Sequence, residues 1–222
     1  MKVLVACEES QAVTIELRKL GHEAYSCDIQ ECSGGYPEWH IQGNVLEQLN
    51  KGWDMLIGFP PCTYLSSVQT HLCRSDSDRV LKRIQGAEFF MKLINADIEK
   101  IAIENPAGVM KHIYRDPDQT IQPYFFGDKQ MKRTCLWLKN LPKLIHTKET
   151  NLFDEKTHCE KPKPSFSWIN KDGNKKAEYF TYSKNGKERS KIFPGIAKAM
   201  AEQWGGVKKI IPSVYGGVGV KF

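Results

Sequence analysis

The sequence predicts an α/β domain built on a mostly parallel sheet. Two observations carry this reading. Short apolar runs of strand length alternate with longer segments whose apolar residues recur at helical spacing. In addition, Cys7, Asp28, Cys62 and Glu104 each fall at the carboxyl end of one of those runs. Open α/β sheets bind their ligands outside that edge.

The elements follow in order. Met1 to Cys7 reads as a buried strand. Ser10 is placed to cap a helix that carries Val13, Leu17 and Leu20 on one face, with Gly21 to end it. Glu23 to Ile29 forms a second strand around Asp28. Gln30 to Gly43 is rich in glycine and polar residues and reads as a loop, and Asn44-Val45-Leu46 as a short element beside the sheet. Asp54 to Phe59 is a further strand. Ser75-x-x-Asp78 has the form of a capping box, with Asp in place of Glu or Gln. It opens a long helix with Val80, Ile84, Ala87, Met91 and Ile94 on one face. Lys100 to Glu104 and Thr134 to Leu138 supply two more strands, separated by a loop that holds Pro117 and Pro123. Pro194 suits the first position of a closing helix that runs to Gly205.

Composition bounds the function. The chain has 222 residues, 41% hydrophobic, which is enough for one sizeable core. No apolar run reaches the length of a membrane span, and the first residues read as a strand rather than a leader. Seven cysteines without regular spacing fit a reducing compartment, so a cytoplasmic location is expected. Residues 139–191 hold 13 Lys plus Arg against 7 Asp plus Glu, so they carry the whole net charge of +6. A neutral core with one basic segment suits an enzyme that acts on a polyanion, or else a merely solvated lysine-rich face. Within that segment, Lys171-Asp172-Gly173-Asn174 and Lys184-Asn185-Gly186-Lys187 are turn signals around the alternating stretch Glu178 to Ser183, which predicts a small β excursion. The expected organisation is a core over 1–138, a basic insertion over 139–191, and a return to the core over 192–222. His71-x-Cys73 and His158-Cys159 lack the spacing of a four-ligand zinc site, and no metal is expected.

Three residues point to chemistry. Cys62 follows Pro60-Pro61, whose fixed φ angles and missing N–H groups hold the next side chain out from the strand end, as a nucleophile requires. Glu104 follows Ile101-Ala102-Ile103. A carboxyl there lies near low dielectric, which favours the protonated form that donates to a ring nitrogen. Asp28 lies about 20 residues beyond the first strand, where an acid accepts hydrogen bonds from a ribose diol. No Gly-x-Gly follows the first strand, so a phosphate-cradling loop is not supported.

In this order, Pro60-Pro61-Cys62 and Glu104-Asn105-Pro106 resemble the DNA cytosine-5 methyltransferases, in the short form found in phages and prophages. The resemblance extends to His40 to Val45, to Lys132-Arg133-Thr134-Cys135-Leu136-Trp137-Leu138, and to Arg189 to Ala197. It implies a Rossmann-like fold, S-adenosylmethionine as cofactor and DNA as partner. It also implies Cys62 as nucleophile, Glu104 as acid and Arg133 as a group that orients the base or a phosphate. Ala6, Cys7, Glu8 and Ser10 would approach the cofactor's amino acid part, Asp28 its ribose, and Asn44 with Val45 its adenine, with Pro60 alongside. Lys171, Lys175, Lys176 and Lys184 would meet the nucleic acid backbone. The chain departs from the family pattern at Glu9-Ser10-Gln11, which replaces a glycine-rich motif, and at Thr63 and Asn44. A full target-recognition domain is missing. Two alternatives therefore stand beside DNA methylation: a non-catalytic module of the same fold that binds nucleic acid or the cofactor, and a methyltransferase acting on RNA or a free cytosine nucleotide.

Overall fold

In the computed structural model the described residues are 1–67, 70, 72, 76–150, 155–164, 166–169, 175–178 and 192–206. The main sheet is built from β1 (Lys2–Ala6), β2 (Glu23–Asp28), β3 (His40–Gln42), β4 (Met55–Gly58), β5 (Lys100–Pro106), β6 (Gln119–Ile121) and β7 (Thr134–Lys139). Their order is β3-β2-β1-β4-β5-β7-β6. All pairs from β3 to β5 are parallel, while β7 runs antiparallel to both β5 and β6. This is the Rossmann-like doubly wound order with one antiparallel strand inserted before the last.

Strand periodicity sorts the core into two layers. Leu4, Leu56, Ile101, Ile103 and Trp137 point to one face of the sheet, and Val3, Val5, Met55, Ile57 and Leu136 to the other. On the first face α2 (Ser77–Ile94) packs through Ala87, Phe90, Leu93 and Ile94. Phe90 meets Trp137 edge-on at 5.2 Å, and the Trp137 indole N–H donates to the Arg115 carbonyl at 2.9 Å. The second face is covered by α1 (Ala12–Lys19), α4 (Pro194–Met200) and the π turn Ala201–Gly205. The short α3 (Met110–Ile113) lies beyond β5.

Four expectations change. β3 and β6 occupy stretches that read as loops, because three-residue strands are too short to show a period. Val80 and Ile84 are exposed, so the helix buries a stripe centred on Phe90 instead. An 18-residue helix spans about 27 Å and outruns the strands it covers, which leaves its first turns outside the core. Its cap is Asp76, whose side chain accepts from Arg79 N at 3.1 Å; Ser75 lies outside the described residues. Finally, Ser10 does not cap α1. The N-cap position is Gln11, left-handed at φ 58°, and makes no cap bond. The donors are met by Glu8 instead. Its Oε1 accepts from Val13 N at 2.7 Å, and its Oε2 accepts from Thr14 N and Thr14 Oγ1 at 3.3 and 2.8 Å.

The start of α4 is fixed by contact rather than propensity. Gly195 N donates to Asp128 Oδ2 at 2.9 Å, and a Cβ at Gly195 would lie 1.9 Å from the Phe126 carbonyl oxygen. Only glycine lets the helix seat on the 3-10 turn Pro123–Phe126, and just before that helix Ile192 packs against the second core layer. In the 139–191 stretch, Leu144 is buried and exchanges two hydrogen bonds of 2.8 Å with the Gln119 side chain. β8 (Phe166–Ile169) and β9 (Lys175–Glu178) form a separate antiparallel pair on either side of Lys171 to Asn174. The strand expected over Glu178 to Ser183 lies almost wholly outside the described residues, as do Arg189 to Lys191 and the 207–222 tail. Among the described residues, no helix is long and apolar enough to cross a membrane.

Burial pushes the Glu8 carboxyl up to about 7; the Val13 and Thr14 bonds oppose this and Glu9 adds to it. The unfolded chain loses the Glu8 proton near 4.5, so between about 4.5 and 7 it binds fewer protons than the native state, and stability falls as pH rises. The fall is on the order of 3 kcal/mol. Urea midpoints measured across this window should decline in the wild type, and the Glu8 contribution should vanish in Glu8→Gln; an unchanged slope removes Glu8 as its source.

Candidate active site

The strand order reverses between β1 and β4, and a crevice opens there beyond the carboxyl ends of the strands. A cavity of about 240 Å³ occupies it, with Cys7, Glu8, Glu9, Ser10 and Asp28 on one side and Pro60, Cys62, Glu104, Lys132 and Ile192 on the other. A second, more apolar slot of about 270 Å³ adjoins it, lined by Cys27, Ile29, Gly43, Asn44, Val45 and Phe89. Cys7, Asp28, Gln30 and Pro61 line both.

β4 and β5 run parallel in the register Gly58↔Ile103. Glu104 therefore emerges one residue beyond the register end, and Cys62 four residues beyond, across the Pro-Pro step. Asn105 ties the two together: its Nδ2 donates to the Pro60 carbonyl at 3.0 Å, within the buried layer. The loop after Cys62 is held just as closely. Leu65 N and Ser66 N donate to the Cys62 carbonyl at 3.0 and 3.1 Å; across to the segment after β5, Ser67 N donates to the Ala107 carbonyl at 3.1 Å and Val109 N to the Leu65 carbonyl at 2.9 Å. A β-bridge joins Ser66 to Gly108, where a Cβ would lie 2.0 Å from the Leu65 carbonyl oxygen.

The electrostatics are those of a neutral pair tuned by one cation. Burial pushes the Cys62 thiol up and Glu104 adds to this, while Lys132 pulls it back. Burial also raises the Glu104 carboxyl, again against Lys132. Glu104 is 7% exposed, and its Oε1 has no hydrogen-bond partner among the described residues. Cys7 differs: burial, then Asp28 and Cys27, push its thiol up to about 12, so it stays protonated at neutral pH and is a poor nucleophile.

The residues singled out from the sequence divide as follows. Cys62, Glu104, Cys7, Glu8, Ser10, Asp28 and Pro60 line the main cavity, and Asn44 and Val45 the adjoining slot. Ala6 lines neither: its side chain is fully buried in the core beneath them. Glu8 lines the cavity, but both of its oxygens are engaged by α1. Asn44 Oδ1 already accepts from Leu46 N at 3.1 Å, capping the 3-10 turn Val45–Glu47. Arg133 is exposed and lines a different cavity, with Lys111, Asp116 and Trp137. Its neighbour Lys132 takes the place expected of it. Lys171 and Lys184 lie outside the described residues, and Lys175 and Lys176 sit on β9. Sequence reasoning passed over Lys132, Glu9, Asn105 and Ile192 as site residues. Both Lys132 and Asn105 adjoin a residue that it did choose. His158, one half of the rejected zinc pairs, bonds His146 at 2.8 Å.

No protein-family model matches the chain, and no curated protein matches it. Among solved structures it is similar to a chain provisionally assigned as a DNA modification methyltransferase encoded within an E. coli prophage, with 15% identity, a TM-score of 0.40, and coverage of 61% of this chain and 45% of that one. It is also similar to the Entamoeba histolytica methyltransferase EhMeth, with 16% identity, a TM-score of 0.45, and coverage of 73% of this chain and 57% of that one. The chain thus spans about half the length of the structures it matches.

The Asn105 bond is buried, and its loss leaves the Pro60 carbonyl without that donor. Asn105→Ala should therefore lower stability by about 1–3 kcal/mol in urea unfolding. A variant as stable as wild type would show that the Pro-Pro loop is held by other contacts.

Proposed function

We propose that the protein methylates cytosine at C5 in DNA, with S-adenosylmethionine as methyl donor and a covalent adduct at Cys62. The observation that carries this reading is the convergence of Cys62 and Glu104 on one cavity, at the ends of adjacent parallel strands. Methyl transfer in general also agrees with the Rossmann-like sheet order.

The two adjoining cavities suit an S-adenosyl group. Asp28 lines both, and its Oδ1 takes Gln30 N at 2.9 Å, which leaves Oδ2 for a ribose hydroxyl. Ile29 and Val45 give the slot apolar surface for a purine face. When bound, the donor supplies an electrophilic methyl carbon.

The protein's own groups do the rest. Cys62 gives up its thiol proton to solvent water, and its Sγ forms a bond to C6 of the ring. Glu104, held protonated by burial, gives its proton to N3, so the electron pair that Sγ adds to the ring reaches C5, the carbon that takes the methyl group. A base then removes the proton from C5, the Sγ–C6 bond breaks, and N3 returns its proton to Glu104. In duplex DNA the cytosine must leave the stack to reach this cavity. Residues 139–191 stand in for the recognition domain, and their lysines meet phosphates rather than read bases.

Methyl-labelled S-adenosylmethionine, incubated with DNA, RNA or dCMP, should label C5 of cytosine in DNA. DNA carrying 5-fluorocytosine should form a denaturation-resistant adduct with the wild type and none with Cys62→Ala. Glu104→Gln should slow adduct formation by about 10²-fold. Full methylation by Cys62→Ala overturns the covalent mechanism, and label on dCMP alone overturns the polymer substrate.

Lys132 favours the charged forms of both Cys62 and Glu104. Its loss raises both pKa values, so both limbs of the pH profile of adduct formation should move to higher pH in Lys132→Met. Arg133→Met, outside the cavity, should leave the profile in place. The reverse pattern would return the role to Arg133.

A further inference from the structure

Glu9 lines the same cavity and has no part in the chemistry above. It is 8% exposed. Its Oε2 accepts from the Ser33 hydroxyl, and its carbonyl takes Ser33 N at 2.7 Å, so the residue is held from two sides. Its Oε1 has no hydrogen-bond partner among the described residues. A buried carboxylate oxygen without a donor is costly unless a ligand brings one.

The surroundings say what kind of donor. Glu8, Glu9, Asp28 and Glu104 all line this cavity, and among the described residues Lys132 is the one Lys or Arg that lines it. Carboxyl oxygens on its walls make the cavity rich in acceptors, which suits a ligand group that donates N–H bonds. Three of the four acids are accounted for. Glu8 is bonded through both oxygens to α1. Asp28 stands where the two cavities meet, and Glu104 stands with Cys62 at the far side. Glu9 remains, on the wall after β1, between the left-handed residues Cys7 and Gln11.

We propose that Glu9 Oε1 binds the α-ammonium group of the donor's methionyl part. The proposal rests on the methyl-donor reading given above. An ammonium group brings N–H donors and a positive charge, which answers both the missing bond and the acidic wall. Ser33 is the positioning residue: it holds Oε2 and leaves Oε1 for the ligand.

Calorimetry with non-reacting ligands tests this without any turnover. The probes are S-adenosylhomocysteine and its deamino analogue, in which hydrogen replaces the α-amino group. Wild type should bind the amine-bearing ligand about tenfold or more tightly than the deamino analogue, the scale of a lost charge-assisted hydrogen bond. Glu9→Gln should lose most of that preference while it binds the deamino analogue as wild type does. Equal binding of the two ligands by wild type overturns the proposal with no variant required. So does a Glu9→Gln protein, folded by its thermal transition, that keeps the full preference or weakens both ligands alike. Failure of wild type to bind S-adenosylhomocysteine at all overturns this proposal and the donor reading together, which separates the two failures.

Discussion

The site depends on one buried hydrogen bond, from Asn105 Nδ2 to the Pro60 carbonyl. Parallel pairing alone brings the ends of β4 and β5 side by side, but it does not fix a loop that continues past them. The Pro-Pro step has no N–H groups to offer the sheet, so it cannot anchor itself by donation. Asn105 reverses the direction of the bond: the strand donates and the loop accepts. With the loop pinned there and again at the Ser66–Gly108 bridge, Cys62 has little freedom to leave Glu104. The glycine at 108 follows from the same contact, since a side chain there would meet the Leu65 carbonyl.

Charge around the cavity is arranged by burial first and by neighbours second. Four carboxyl groups share one wall system, yet their environments separate them. Glu8 is buried but bonded, and serves the first turn of α1. Glu104 is buried, its Oε1 without a partner among the described residues, and is held toward its protonated form. Asp28 stands at the junction of the two cavities. Lys132, on the same side of the cavity as the Cys62–Glu104 pair, favours the charged forms of both. Burial thus keeps the Cys62 thiol and the Glu104 carboxyl neutral together, which avoids two negative charges facing each other.

The turn after β1 shows how a backbone shape outlasts the residues expected to make it. The resemblance leads to glycines here, and the chain has Glu9-Ser10-Gln11 instead. Cys7 and Gln11 nevertheless take left-handed φ angles of 59° and 58°. That conformation costs an ordinary residue about 1–2 kcal/mol, and side-chain bonds offset it. Gln11 Nε2 donates to the Tyr36 carbonyl and Gln11 Oε1 accepts from Tyr36 N, at 2.8 and 3.1 Å, so a side chain pairs with the 33–36 loop as a backbone would. Glu9 and Ser33 add a second tie.

By itself the sequence determined the alternation of strand and helix, the carboxyl-edge position of Cys62, Glu104 and Asp28, and the start of the last helix at Pro194. Each of these is a local signal: an apolar run, a proline, or an acid at a strand end. What only the tertiary structure decided is which neighbour faces inward. Lys132 and Arg133 are adjacent on an extended approach to β7, where successive side chains point to opposite sides, and only the packing of β7 against β5 assigns Lys132 to the cavity and Arg133 to the next one. The same holds for Ala6, drawn into the core by the sheet above it, and for Glu8 and Glu9, where a helix placed by long-range packing takes one carboxylate and leaves the other open. Partners many residues apart in the chain make these choices, and no local pattern records them.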